Sequence, residues 1–377
     1  MGASGYSGAV AARLVAGHPS LELAFVTSDK LAGTPAWKHL GATVRRDLVF
    51  SPNGVAVESA RDVAAVLLAT PAEVSADLTP KLLATNERAA VIDLSGAYRL
   101  ATAADYPAHY GFGHPSAELL ATAWYGLPEL FGPPPAGARL VSNPGCYPTA
   151  TLLAIAPLVR EGLVEPNGLI IDAKSGVSGA GVQAKQEYSF VEIDEDVRAY
   201  KLLKHQHTPE IARHLARAAL LRSRDVAHAL KMPPSTLAEA PTLTSDAVTL
   251  ASSEPPPPTP RITFTPHLVP VKRGLLSTCY ARPRPGTTSA RITECLGDTY
   301  GASAFVDVVG PGDVTMKGVT GTNRARVGAT ANDDVVIAVG AIDNLLKGAA
   351  GQALQNLNLL FGLGETAGLD SLQPVSP

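Results

Sequence analysis

A glycine-rich turn running straight into an amphipathic helix, GASGYSGAVAARLVAGHP after Met1, constrains this chain more than any other feature. The strand-like segment LELAFVTS follows it, and AAVLLATPA (from Ala64) and AAVIDLSG (from Ala89) repeat short apolar runs with helical material between them. Short buried strands alternating with helices require crossovers, and so a parallel α/β sheet covered on both faces. The turn itself, with Gly2, Gly5 and Gly8, would present helix N-terminal amides and the positive end of the helix dipole to a pyrophosphate. Ser4, Tyr6 and Ser7 lie in the same turn and join the glycines as cofactor-binding candidates. Such a turn normally follows a strand, and no strand-like residues precede Gly2. The expectation is a start displaced from an upstream strand; a sheet lacking its central strand, and a cofactor site compromised with it, is the alternative.

Ligands of parallel sheets bind beyond the carboxyl ends of the strands, which makes Thr70, Pro71, Ser95 and Gly96 candidate lining residues. Beyond the second strand, Thr27, Ser28, Asp29 and Lys30 put hydroxyls and a cation where a ribose 2′-substituent would lie. No acidic residue stands directly at the strand end, so Ser28 and Lys30 favour a 2′-phosphate, and NADP(H) over NAD. Asp29 counts partly against that, and a solvated turn remains open.

After about residue 143 the pattern changes. GLIIDAKSG, RITFTPHLV, LLSTCYARP, AFVDVVG and DVVIAVGAI are strand-like pieces of an α+β region with a larger sheet. A last helix from about Asn344 to Leu360 can return to the first region. The expected division is a dinucleotide-binding domain of residues 1–143 with 344–377, and a catalytic domain of residues 144–343. Residues 233–260, rich in Pro, Ser and Thr, read as a mobile surface insertion with little to bury.

Within SNPGCYPTA, Gly145 permits a tight turn, and Pro148 and Thr149 open an apolar helical run, so Cys146 is expected in or beside a helix's first turn. Helix-end amides and dipole stabilise a thiolate, which predicts a lowered pKa and a nucleophile. A buried structural thiol is the alternative. In KHQHTPEI, His205 and His207 alternate along an extended segment before a helix capped through Thr208, Pro209 and Glu210. Paired imidazoles suit acid and base work near neutral pH. No third ligand at metal-binding spacing accompanies them, so no metal is expected. Arg99, a few residues past the strand ending near Leu94, can clamp a phosphate or carboxylate, or sit in a surface ion pair. The small residues of KSGVSGAG, including Ser175, Gly176, Ser178 and Gly179, allow close approach of a cofactor ring, or form only a tight turn.

Composition narrows the partners. The chain has 31 basic and 34 acidic residues and no long basic run, which disfavours nucleic acid and anionic membranes and leaves a small-molecule substrate. No apolar run approaches the roughly 20 residues of a membrane span. Three scattered cysteines without a CxxC pair indicate neither disulfides nor zinc and fit a reducing cytoplasm. Cys279 and Cys295 read as structural.

Together GASGYSG, LSGAYR, YGLPE, NPGCYPT, SGVSGAG, HQHTPEI, TPHLVPVKRG and DNLLKGAAGQA resemble, in order and nearly end to end, the N-acetyl-γ-glutamyl-phosphate reductase family of the aspartate-semialdehyde-dehydrogenase-like superfamily. The resemblance implies a Rossmann-type domain, an α+β catalytic and dimerisation domain on a mixed sheet, and a homo-oligomer, a dimer or tetramer. It implies NADPH-dependent reduction of an acyl phosphate in arginine biosynthesis, with Cys146 as nucleophile and His207 as acid/base. Arg99, His205, Glu210 and Arg273 become substrate-binding candidates, and Asn344 joins the cofactor set. Gln206 stands where many relatives carry arginine. The rival readings are an aspartyl-phosphate enzyme, a reductase of carrier-linked aminoadipyl or glutamyl phosphate, and a pseudo-enzyme without cofactor binding.

Overall fold

The computed structural model describes residues 1–221, 259–370 and 372. Nearly all of the proline-rich segment at 233–260 lies outside them.

Two parallel sheets make up the N-terminal region. One is the pair β1 (Val26–Thr27) and β2 (Phe50–Ser51); the other has β3 (Ala65–Leu68), β4 (Ala90–Asp93), β5 (Trp124–Tyr125) and β6 (Leu140–Ser142) in the order β3-β4-β6-β5. Every residue of β4 is buried, as its unbroken apolar run requires of a central strand covered on both faces. Helix α1 (Tyr6–Ala16) is capped by Gly5, so the Gly-rich turn opens a helix as read from the sequence, and α2 (Ala72–Thr85) is capped by Pro71.

LELAFVTS departs from expectation. Only Val26 and Thr27 pair as strand, although residues 21–25 keep the alternating half-buried pattern of one. A strand needs ladder partners, and β2 supplies them only over Phe50 and Ser51. The other flank of this segment faces a groove, and β3 forms the groove's far wall. No strand precedes the glycine-rich turn among the described residues.

The second region is a mixed seven-stranded sheet in the order β11-β12-β13-β10-β7-β9-β8. Its members are β7 (Leu169–Gly176), β8 (Arg198–Ala199), β9 (Ile262–Val269), β10 (Leu275–Ala281), β11 (Val306–Val308), β12 (Ala325–Ala331) and β13 (Val336–Ile342). Parallel β7/β9 and β11/β12 pairs are joined by antiparallel ones. Helix α3 (Cys146–Arg160) is buried on nearly all sides and lies against β10, β12 and β13 on one flank and against α4 (His207–Leu220) and α5 (Ser289–Tyr300) on the other. Leu152, Leu153, Ile155 and Leu158 are fully buried there. At roughly 1.5–3 kcal/mol per large apolar side chain, α3 anchors the core and holds its first residue, Cys146, at a rigid point. The chain then returns through a π-helical turn (Leu346–Ala350) and α6 (Gly351–Leu360), which pack against α1.

Candidate active site

Cys146 stands where β6 hands over to α3, a strand-end position between the two regions. Its loop is fastened from three directions. Asn143 donates from Nδ2 to Ala349 O at 3.2 Å and accepts from Asn356 Nδ2 at 3.0 Å, tying the loop to the returning segment. The Gly145 N–H donates to Glu210 Oε1 at 2.9 Å. Gly348 closes on Cys146 itself: a Cβ there would come within 2.8 Å of the cysteine Cβ, so only glycine fits.

The thiol does not have the lowered pKa expected of a helix mouth. Burial pushes it up to about 11, while the Tyr147 and Cys146 amides and the Arg99 charge pull in the other direction. The local amides are present as the sequence implied; desolvation outweighs them. The residue remains partly exposed.

His207 is the first residue of α4, not part of an extended segment, and Glu210 points inward instead of capping that helix. The imidazole lies against the cysteine loop, since a Cβ on Gly145 would stand 2.5 Å from His207 Nε2. His205 and His207 ring centroids are 4.8 Å apart, and the His207 N–H donates to His205 Nδ1 at 3.2 Å. Both rings are buried. Burial lowers His205 to about 3 and carries His207 well below its usual value, with the neighbouring histidine and Arg99 adding to the second shift. The pair is therefore neutral at pH 7, which corrects the expectation of two groups titrating near neutrality. A neutral imidazole can still accept a proton.

Arg99 is no surface ion pair; it is 4% exposed. Its Nε donates to Asn143 O and its NH2 to Leu94 O, each at 2.8 Å, joining the loops after β6 and β4. NH1 faces His207 Nε2 at 3.4 Å and Glu210 Oε2 at 3.7 Å. Glu210 is fully buried and also accepts from Tyr125 OH at 2.9 Å. Burial raises its carboxyl, and Arg99, the Gly145 N–H and Tyr125 pull back. Cys146, Arg99 and the pair His207 and Glu210, drawn from three separate motifs, thus meet in one cluster. Arg273 shares no bond with this cluster; its NH2 lies 2.8 Å from the buried Asp343 carboxylate.

The cofactor candidates fall into two groups. Around the Gly-rich turn, Gly5 begins α1 with no side-chain cap, so the helix's first amides have no side-chain acceptor and suit an anion. Ser4 and Ser28 join across the turn through their hydroxyls at 2.9 Å. Tyr6, Ser7 and Gly8 form the first turn of α1, and Gly2 holds a φ of 70°. Lys30 is exposed beside them, and Asp29 is engaged by the backbone and side chain of Asn53 at 2.7 and 2.8 Å. Thr70 bonds Ser75 at 2.7 Å beside Pro71. Ser95 donates to Asp93 Oδ1 from both N and Oγ, at 3.0 and 2.5 Å. The second group flanks Cys146. Ser175 is buried at the end of β7, Gly176 and Gly179 follow, and Ser178 Oγ accepts from Asn344 Nδ2 at 2.9 Å.

Residues not singled out from the sequence complete the frame. Tyr125 and Asn143 lie inside quoted motifs, yet their roles depend on partners 85 and 213 positions away. Lys347 is buried against Glu129, with Gln355 bonding both. The unexpected lysine in the apolar LLKGAA run was the available signal. No group of three or more potential metal ligands occurs among the described residues.

Comparison with known proteins gives concordant matches. Residues 1–134 match the family model described as semialdehyde dehydrogenase, NAD binding domain, and residues 146–249 and 248–344 match the semialdehyde dehydrogenase dimerisation domain. An N-acetyl-gamma-glutamyl-phosphate reductase of Magnetococcus marinus is 38% identical, the match covering 100% of this chain and 97% of that protein. One from Dehalococcoides mccartyi is 40% identical over 98% and 96%. Aspartate semialdehyde dehydrogenase II of Vibrio cholerae shares the fold at 15% identity, TM-score 0.63, covering 96% and 97% of the two chains. The Candida albicans aspartate semialdehyde dehydrogenase with NADP does so at 14% identity, TM-score 0.58, covering 96% and 97%.

Proposed function

The chain belongs to the N-acetyl-gamma-glutamyl-phosphate reductase family, and we propose on that premise that it reduces N-acetyl-L-glutamyl 5-phosphate to the 5-semialdehyde through a thioester on Cys146. The observation that carries the reading is the convergence of Cys146, His207, Arg99 and Glu210 at the mouth of α3. In the resting protein the nucleophile is a thiol beside a neutral imidazole. As Sγ attacks the acyl carbon, the S–C bond forms, the C–O bond to phosphate breaks, and the thiol proton passes to His207. The Cys146 and Tyr147 amides face the sulfur and support negative charge developing beside it. Arg99 and Glu210 act as positioning residues, because most of their polar atoms are engaged within the protein. NADPH supplies a hydride when bound. His207 then handles the proton as the thiohemiacetal collapses and the C–S bond breaks to release the aldehyde.

The amides at the start of α1 would hold the pyrophosphate, and Ser28 and Lys30 the 2′-phosphate, with Asp29 turned to Asn53. Ser175, Gly176, Ser178, Gly179 and Asn344 would accommodate the nicotinamide end; Arg273 and His205 would orient anionic groups of the substrate. We assign residues 1–143 with 344–377 to the cofactor domain and 144–343 to the catalytic domain; the match of residues 146–249 and 248–344 to a dimerisation-domain family supports a homo-oligomer. Three free cysteines suit the reducing cytoplasm. The test is Cys146→Ser: it should retain NADPH binding and lose turnover with N-acetylglutamyl phosphate. Substantial residual reductase activity would refute covalent catalysis, and faster turnover of aspartyl phosphate by the unsubstituted protein would refute the substrate.

A further inference from the structure

Lys201 stands beside the histidine pair as a cation without a counter-charge. The neighbouring Lys185 and Arg198 are paired with Glu187 and Asp196, while Arg99 faces Glu210 and Arg273 is bonded to Asp343. Lys201 is exposed and has no carboxylate partner among the described residues; its Nζ donates instead to the neutral Oε1 of Gln206 at 3.1 Å. Holding so long a side chain in one place costs rotamer entropy, which a single bond to an amide does little to offset.

The backbone is bent to bring the two residues together. Tyr200 N donates to Pro266 O at 3.1 Å and extends the pairing of β8 with β9, and Tyr200 OH donates to Tyr147 OH at 3.1 Å. Lys201 then leaves the sheet with a φ of 46°, Leu203 follows at 60°, and the turn closes through Lys204 N on Lys201 O at 3.0 Å. Side chains in the left-handed region store strain. Packing does not offset it, since Leu203 is 83% exposed. What the turn achieves is to set the ammonium on Gln206, the residue between His205 and His207. Beyond burial, the Lys201 charge lowers His205 and adds to the lowering of His207, so its field reaches both rings.

The arrangement leaves donors for an anion. Lys201 has N–H groups beyond the one given to Gln206, and Gln206, its Oε1 taken, keeps its amide N–H groups. His205 Nδ1 accepts the His207 N–H at 3.2 Å, so the neutral ring carries its proton on Nε2. An ammonium, an amide and an imidazole N–H from one short segment form a donor set suited to a carboxylate. The acyl phosphate itself belongs at Cys146, where Arg99 is the neighbouring cation. Tyr147 links the two places, its ring centroid 5.5 Å from that of His205.

We propose that Lys201, held by Gln206, is a specificity residue that binds the carboxylate at the end of the substrate opposite the acyl phosphate, with Gln206 and His205 supplying further donors. This rests on the acyl-phosphate reductase reading above, whose substrate carries such a carboxylate.

Steady-state kinetics of the unsubstituted protein and of Lys201→Met test it, with N-acetylglutamyl phosphate and with its analogue in which an uncharged carboxamide replaces the α-carboxylate. Loss of one charge-assisted contact should raise KM for the natural substrate about 10- to 100-fold, with little change in kcat. With the carboxamide the two proteins should have the same KM. An unchanged KM for the natural substrate, or an equal rise with both substrates, would overturn the proposal. So would weaker inhibition of Lys201→Met by inorganic phosphate, which would place the leaving group at Lys201. Failure of the unsubstituted protein to turn over N-acetylglutamyl phosphate would instead overturn the reductase reading, and this inference with it.

Discussion

Glu210 is the point at which stability and chemistry are most tightly joined. Its fully buried carboxylate accepts from the Gly145 N–H and from Tyr125 OH, each at 2.9 Å, and faces Arg99 at 3.7 Å. Glu210→Ala leaves the guanidinium buried without its counter-charge, and breaking a buried pair this way costs about 3–5 kcal/mol. It also orphans two buried donors, at about 1–3 kcal/mol each. These terms share one carboxylate and do not add fully, so the expected loss is about 5 kcal/mol, comparable to the whole margin of many domains. Glu210→Gln keeps an acceptor but not the charge, and should lose about 1–3 kcal/mol. Because the Gly145 amide sets the path of the residue before Cys146, single-turnover phosphate release by Glu210→Gln should slow by about 100-fold, the usual effect of a displacement near 1 Å. Urea midpoints and rapid-mix phosphate release measure the two effects. An Ala variant with an unchanged midpoint and a Gln variant with an unchanged release rate would refute the reasoning.

Acid stability should follow the buried imidazoles. His205, His207 and His214 all have folded pKa values lowered by burial, so the unfolded chain takes up protons that the native state refuses. The resulting stability is fully present above the ordinary histidine value near 6.5 and is lost as pH falls below it, by up to about 4 kcal/mol per pH unit; a flat unfolding free energy between pH 6.5 and 5 would contradict this. Lys347→Met should cost about 3–5 kcal/mol by stranding Glu129, and adding Glu129→Leu should recover most of it, as thermal denaturation of the single and double variants would show. Iodoacetamide should alkylate Cys146 slowly at pH 7 and about tenfold faster per pH unit up to pH 10, consistent with a thiol raised to about 11. A rate plateau at neutral pH would mean a preformed thiolate.

Local signals carried much of the architecture. Alternation and short apolar runs located β3, β4, β7, β9, β10 and β13, and Pro148 and Thr149 placed the start of α3 beside Cys146. What the pattern could not supply was anything set by distant partners. LELAFVTS has strand periodicity, yet only Val26 and Thr27 pair, because ladders depend on neighbours. Glu210 looked like a capping residue from its place after Thr208 and Pro209; Gly145 and Tyr125, 65 and 85 positions away, turn it inward. The electrostatics failed for the same reason. A helix mouth and two histidines imply a thiolate and near-neutral bases, and only the packing around them reveals that burial reverses both shifts. The position of Arg99 after a strand left an anion clamp and a surface ion pair both open, and neither reading contains its bonds to Asn143 O and Leu94 O, which brace two loops.

The central claim is that Cys146 carries the acyl group. Mixing the protein with N-acetylglutamyl phosphate, without NADPH, and following phosphate release alongside intact-protein and peptide mass spectrometry tests it most directly. The account predicts one phosphate released per site in a burst and an N-acetylglutamyl adduct on Cys146, both absent in Cys146→Ser. No burst and no adduct, or the same burst from Cys146→Ser, would contradict it.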